Sequence, residues 1–236
     1  MGKLFLIATP IGNLKDITLR ALKVLKKVDI ILCEDTRVSG KLLKEYNIRK
    51  KKNNRKIPQL LSYHEHNNKK QIPKIIKLLK QGKQIGLITN AGSPLISDPG
   101  YKLVQACLKE KIPFQTIPGP SSVITALSQS GFPPDKFIFL GYLPKKHKKR
   151  RQLLKSLLQM NKASSFNHLT FIAFESPFRL VNSLKDILET LGNIEVALCR
   201  ELTKLHQQVK REKVRQLFNY FKQKKAKGEI VLLFKL

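Results

Sequence analysis

The feature that most constrains this chain is an apolar run that breaks into a proline- and glycine-bearing loop and then resumes with helical spacing. Leu4 to Ala8 (LFLIA) is continuously apolar, Thr9-Pro10-Ile11-Gly12-Asn13 interrupts it, and Ile17, Leu19, Leu22 and Leu25 recur on one helical face. The pattern returns in DIILC (29–33), QIGLIT (84–89) and PFQTI (113–117), with helical spacing over 17–27, 37–46, 69–81 and 100–110. Continuous runs, rather than alternating ones, indicate strands buried on both faces. Strands and helices in alternation indicate an α/β fold with a mostly parallel sheet flanked by helices. The chain of 236 residues has room for two such cores.

Ile117-Pro118-Gly119-Pro120 is the strongest punctuation, and it divides the chain into an N-terminal α/β domain, 1–118, and a C-terminal α/β domain, 119–236. The second half reads as strand 137–141, basic helix 147–160, strand 169–174, helix 177–191, strand 194–199, helix 208–224 and strand 229–235. Ser176-Pro177 has the form of an N-cap followed by proline at the first helical position.

Four loops rich in small residues follow predicted strands: 9–13, 34–37, 89–100 and 118–122. The carboxyl ends of strands line the ligand crevice of an open α/β sheet, so these loops are candidates to converge on one site. None is a G-x-G-x-x-G turn, and none has the Lys-Ser/Thr of a phosphate-binding P-loop. Glycines paired with prolines and hydroxyl residues suit a ligand held by backbone groups and by shape. The competing account is that α/β proteins always need turns there.

Lys and Arg number 46 against 16 Asp and Glu, a net charge of +30. A polyanion such as RNA is the partner this implies; a lysine-rich compositional drift is the alternative. The dense clusters at 49–52 and 145–151 favour a partner. In the second cluster, Arg150, Arg151 and Lys155 are expected to face solvent and contact phosphates. Cys33, Cys107 and Cys199 stand apart in apolar runs and read as buried thiols in a reducing compartment. No apolar run approaches the ~20 residues of a membrane span, and a cytoplasmic location is expected.

TPIGNLKDITLRAL, EDTR, HEHN, NAGSPLISDPG, PGPSS, FESPFRL and RELTK occur in that order. On these motifs the chain resembles the ribosomal RNA small-subunit methyltransferase I family, a branch of the tetrapyrrole methylase fold. The resemblance runs from Leu4 to Leu233. It implies a two-domain α/β homodimer with S-adenosylmethionine in a cleft between domains. It further implies methylation of a cytidine ribose 2′-hydroxyl in the decoding region of small-subunit (16S) rRNA. Carried over, it assigns Thr9, Pro10 and Gly12 to the first cofactor loop. Asn90, Ala91, Gly92 and Ser93 would hold the methionine end, Ser121 and Ser122 would lie beside it, and backbone near Phe174, Leu198 and Gly228 would meet the adenosine. The chain departs from the family at Asn90, where an acidic residue is usual, and at Phe178, where histidine is common.

Displacement at a sulfonium methyl needs mainly alignment, with a base or cation to help the weakly acidic ribose hydroxyl. The candidate catalytic residues are Glu34, Asp35 and Arg37, then Glu175 and Arg179, then Arg200, Glu201 and Lys204; structural ion pairs and helix caps are the alternative roles. His64-Glu65-His66-Asn67 has too few ligands for a metal and reads as a polar loop on the substrate side. Two further functions stay open: a tetrapyrrole methyltransferase on the same fold, and a non-catalytic RNA- or ribosome-binding protein.

Overall fold

A computed structural model describes residues 1–48, 57–163 and 169–236. The basic cluster at 49–52 and His168 lie outside the described residues. The chain forms two compact units, Met1–Ser121 and Ser122–Leu236, against the 118/119 boundary read from sequence.

The N-terminal unit is built on β1 (Leu4–Ile7), β2 (Ile30–Cys33), β3 (Gln59–Ser62), β4 (Ile85–Leu87) and β5 (Phe114–Ile117), joined by α1 (Leu19–Leu25), α2 (Thr36–Glu45), α3 (Asn68–Lys80) and α4 (Tyr101–Lys109). All pairings are parallel, in the order β3-β2-β4-β1-β5. Side chains alternate across the pleat, and that divides the core in two. Leu4, Leu6, Ile30, Leu32, Ile85 and Leu87 pack with α3 and α4. Ile7, Ile31 and Cys33 pack on the other face with Ala21, Leu25 and Leu43 from α1 and α2. Helices that carry the chain one way along the sheet thus cover one face, and those that return it cover the other, as right-handed crossovers require. β3 has no counterpart in the sequence reading. It is a short, half-buried edge strand, so it lacks the continuous apolar run that marks β1, β2 and β4.

Local chemistry sets the helix starts. Thr18 accepts from the Ala21 amide to begin α1, and Asp35 accepts from the Arg37 and Val38 amides to begin α2.

The C-terminal unit contains β6 (Phe137–Tyr142), β7 (Thr170–Glu175), β8 (Glu195–Arg200), β9 (Gln208–Lys213) and β10 (Ile230–Lys235), with α5 (Ser122–Ser130), α6 (His147–Ala163), α7 (Leu180–Leu191) and α8 (Val214–Gln223). Its order is β6-β7-β10-β8-β9, with only β6 and β7 parallel. Leu154, Leu157, Leu184, Ile187, Leu217 and Phe221 from α6, α7 and α8 pack on Phe171, Leu198, Leu232 and Phe234.

Two expectations are corrected. Residues 208–213 are a strand rather than the start of a helix, because QVKREK alternates in burial as the sheet's outer strand while the helical stripe begins only at Val214. Ser176-Pro177 does not cap α7. Its residues form a turn closed by the Arg179 amide onto the Ser176 carbonyl at 3.0 Å, and the helix starts at Leu180.

Candidate active site

Because every strand of the N-terminal sheet is parallel, all five strand ends open on one edge. The connection from β2 leaves through α2 towards β3, and the connection from the adjacent β4 leaves through α4 towards β5. Adjacent strands whose connections diverge leave a crevice between them. A pocket of about 550 Å³ opens there, lined by Glu34, Asp35 and Arg37 after β2, Ser62, His64 and His66 after β3, and Asn90 after β4.

The 9–13 and 89–100 loops, of which Asn90 reaches the pocket, are tied down by their own backbone. Thr9 and Gly92 form an antiparallel bridge, Thr9 N to Gly92 O at 2.9 Å and Gly92 N to Thr9 O at 3.0 Å. The Thr9 hydroxyl donates to the Thr89 carbonyl at 3.1 Å. Thr9 is therefore fully buried with amide, carbonyl and hydroxyl engaged, so it shapes the loop rather than offering a polar group to a ligand. Ser93 is similarly spent, its hydroxyl donating to the Pro120 carbonyl at 3.2 Å. Ala91 takes the Thr89 hydroxyl on its carbonyl at 3.2 Å. Pro10 is buried, whereas Gly12 and Asn90 are exposed. Gly119 runs so close to β1 that a Cβ there would meet the Ala8 Cβ at 3.0 Å. Leu95 and Ser97 hold φ of 73° and 65°, a left-handed conformation that side-chain-bearing residues adopt at a cost and that clusters at functional sites.

The carboxylates differ sharply. Asp35 caps α2 and also binds the Arg37 guanidinium, Nη2 to Oδ2 at 3.1 Å. The Arg37 side-chain hydrogen bond, first among several, holds its carboxyl below the usual range. Asp35 and Arg37, expected as catalytic, are thus committed to each other. Glu34 is exposed, and the hydrogen bond recorded for its carboxylate is from Asn90 Nδ2 to Oε2 at 3.3 Å. Behind it lies a residue to which the sequence reading gave no role. Asp98 is half-buried without an ion-pair partner among the described residues, and burial, then the Glu34 charge, push it up to about 6. Only the adjacency of β2 and β4 brings residues 34 and 98 together; the one hint in sequence was a carboxylate set among small residues where acids are scarce.

His64 and His66 line the pocket with ring centroids 6.0 Å apart. The loop is held by Asn67, which accepts from the His64 amide at 2.9 Å and donates to the Ser62 carbonyl at 3.1 Å. Glu65 also lines the pocket and pairs with Lys102 at 2.5 Å. Among the described residues, no group of three or more His, Cys, Asp or Glu is arranged to hold a metal.

In the C-terminal unit the register places the ends of β7 and β8 beside the start of β10, with Ile230 opposite both Glu175 and Arg200. Glu175, Arg200, Glu201, Lys204 and Gly228 are thereby gathered at one sheet edge. Each is engaged by its neighbours there. Glu175 is buried and accepts from the Ser176 amide at 2.6 Å, from Ser183 Oγ and from Arg179 Nη2 at 2.6 Å. With three donors on it and only 2% exposure, Glu175 is held in a buried ion pair with Arg179, against the catalytic expectation for this pair. Arg200 donates to Gln208 Oε1 at 3.3 Å and the Lys227 carbonyl at 3.2 Å. Glu201, at φ 52°, accepts from Lys204 at 2.8 Å and the Glu229 amide at 2.9 Å. Burial raises the Glu201 carboxyl, but these two bonds outweigh it and hold it below the ordinary value.

Gly228, at φ 82°, is the floor beneath that carboxylate; an added Cβ would lie 2.4 Å from Glu201 Oε1. Leu198 sits in β8 with β10 on one side and β9 on the other, so its backbone is committed to the sheet rather than free for an adenosine. Phe174 gives its carbonyl to the Leu143 amide at 3.2 Å and stacks edge-on against Phe139. Ser122 is the first residue of α5. Arg150, expected on the solvent side, is 3% exposed, because its guanidinium turns inward onto Asp186.

A parallel α/β unit with a switch-point pocket, followed by a second mixed-sheet unit, defines a methylase architecture. The family model of tetrapyrrole (corrin/porphyrin) methylases matches residues 3–217. The fold is shared with diphthine synthase at a TM-score of 0.73 and 10% identity, over 100% of this chain and 90% of that one. Within that class, the ribosomal RNA small subunit methyltransferase I of Thermotoga maritima is 49% identical over 99% of this chain and 98% of its own length. The protein of that name from Hydrogenobaculum sp. is 43% identical over 98% and 94%. The chain belongs to the ribosomal RNA small subunit methyltransferase I family, and its methyl donor is S-adenosylmethionine. The pocket offers that donor's cationic ammonium and sulfonium the Glu34 carboxylate, which has no ion-pair partner among the described residues, and Asp98 lies within the field of Glu34.

Proposed function

We propose that the protein transfers a methyl group to the ribose 2′-oxygen of a cytidine in the decoding region of small-subunit rRNA, in the cytoplasm and as a homodimer. The observation that carries this reading is the Glu34 carboxylate, with Asp98 in its field and no ion-pair partner for either among the described residues, at the switch point of a chain that is 49% identical over 99% of its length to a small-subunit rRNA methyltransferase. The net charge of +30 supports a polyanionic substrate.

S-adenosylmethionine supplies an electrophilic methyl group when bound. The rest is done by this chain. Glu34 and Asn90 hold the cationic end of the donor, and the bridged Thr9 and Gly92 loops keep their positions. The Asp98 carboxylate takes the proton of the 2′-hydroxyl as the oxygen attacks. A carboxyl near pH 6 is better matched to that task than an ordinary one, because a stronger base is still deprotonated at neutral pH.

The test is calorimetric titration with S-adenosylmethionine in the wild type and in Asn90→Asp, followed by methyl transfer to small-subunit rRNA. Saturable binding that tightens about tenfold with the added charge, and a 2′-O-methylcytidine in the digested product, are expected. Absence of binding in both proteins overturns the reading.

A further inference from the structure

The C-terminal unit carries a second cavity that the methyl-transfer chemistry leaves unused. It has a volume of about 320 Å³ and is lined by Lys145, His147, Arg150, Arg179, Lys185 and Asp186 with Asn182 at its side. Four cations against one carboxylate leave its walls strongly positive. The carboxylate is already consumed. Asp186 is 1% exposed and is held by Arg150 Nε at 2.6 Å and Nη2 at 2.5 Å. His147 Nδ1 also approaches its other oxygen at 2.5 Å.

Arg150 spends its remaining donors on the carbonyls of Pro144 and Lys145, at 3.0 and 3.3 Å. A buried ion pair thereby pins the loop that precedes α6 and fixes where Lys145 stands. Arg179 is pinned in turn by Glu175 and by the Leu143 carbonyl at 3.2 Å. The start of α7 adjoins this wall without a side-chain cap, so its first-turn amides add to the positive field. Lys145 and Asn182 have no side-chain partner among the described residues, and Lys185 has only a 3.8 Å contact with Glu189. Rigid cations at the back and free donors at the mouth form a receptor for a tetrahedral oxyanion.

We propose that this cavity holds a backbone phosphate of the RNA substrate and sets the position of the strand on the C-terminal unit. The proposal rests on the function proposed above. A phosphate contact positions the substrate and carries no sequence information. Its signature is a share of the salt dependence of binding.

The experiment uses the full chain and a small-subunit rRNA fragment spanning the decoding region. Affinity is measured from 50 to 300 mM salt for the wild type, for Lys145→Gln with Lys185→Gln, and for a control pair of exposed lysines on the same unit, Lys222→Gln with Lys225→Gln. Losing one phosphate contact lowers the slope of log affinity against log salt by about 0.7–0.9, which is roughly five- to eightfold in affinity at 0.1 M salt. That loss is expected in the cavity variant alone, and Lys145→Arg with Lys185→Arg is expected to restore it.

Inorganic phosphate, titrated while the His147 ring resonances are followed, separates a free-phosphate site from an RNA site. A cavity variant that binds RNA no worse than the control pair overturns the proposal, whether or not inorganic phosphate perturbs His147. A wild type that transfers no methyl group to the fragment, while the cavity variant still loses its affinity, sinks the enzymatic reading and leaves the phosphate site standing.

Discussion

Glu175, Asp186 and Glu201 in the C-terminal unit are each held by cations or amides, whereas in the N-terminal unit Asp98 lies in the field of Glu34 and neither has a cation at ion-pair distance among the described residues. The contrast is sharper for the composition. With 46 basic side chains and 16 acidic ones, a carboxylate placed without regard to function would find a partner easily. Two carboxylates left to repel one another cost folding energy, and such sites are where catalytic and ligand-binding groups are found. The C-terminal carboxylates therefore serve stability, and Glu34 and Asp98 are the ones left available for the proposed chemistry.

The largest effect that would break this comparison is expected at Arg150. Arg150→Met strands Asp186 unpaired at 1% exposure and should cost about 3–5 kcal/mol, read from denaturant unfolding. The double variant Arg150→Met with Asp186→Leu should recover most of that loss. A single variant as stable as the wild type would mean the pair has no structural role.

Asp98→Asn comes next and should act on rate instead of stability. Methyl transfer is expected to fall about 100-fold, the usual scale for losing a positioned base. The wild-type rate should rise with pH through about 6 and then level, as Asp98 loses its proton, and the variant should lack that rise.

The sign of the stability effect is opposite to that of an ion-paired carboxylate. The folded-state value lies above the ordinary 3.8, so the folded protein keeps this proton longer than the unfolded chain, and stability declines as pH rises from about 4 to about 6. In Asp98→Asn that decline should disappear from thermal unfolding curves taken across the same range. An unchanged rate in this variant would move the proton acceptor elsewhere.

Smaller effects sharpen the C-terminal side. Gly228→Ala forces a Cβ onto the Glu201 carboxylate at a φ of 82° and should cost about 1–3 kcal/mol in unfolding free energy. Lys204→Met removes a partly exposed cation that bridges Glu201 and Glu229, at 2.8 and 3.1 Å, and should cost about 1 kcal/mol in the same measurement.

Most of the N-terminal fold was legible because its strands are buried on both faces. LFLIA (4–8), IILC (30–33) and IGLI (85–88) are unbroken by any charged or hydrogen-bonding side chain, as strands covered on both faces require. β3 escaped notice because an edge strand needs only half a face of apolar residues. β9 was mistaken for helix because a strand of alternating basic residues shows little hydrophobic period of either kind. The motifs carried the family, and the loops carried the edge of the sheet at which the site lies.

By itself, then, the sequence determined the α/β class, two of the loops that line the pocket (34–37 and the one that begins at Asn90) and the family of methylases to which the chain belongs. Strand order was decided only in three dimensions. β4 enters the sheet between β1 and β2, and that single choice sets Asn90 against Glu34 and brings Asp98 into the field of Glu34. Side-chain direction was decided there too. Arg150 and Lys149 are neighbours in one basic run, yet one is buried against Asp186 and the other exposed. The physical reason is common to both. Burial and charge pairing depend on distances between residues far apart in the chain, and spacing along the chain reports only what the local backbone period can encode.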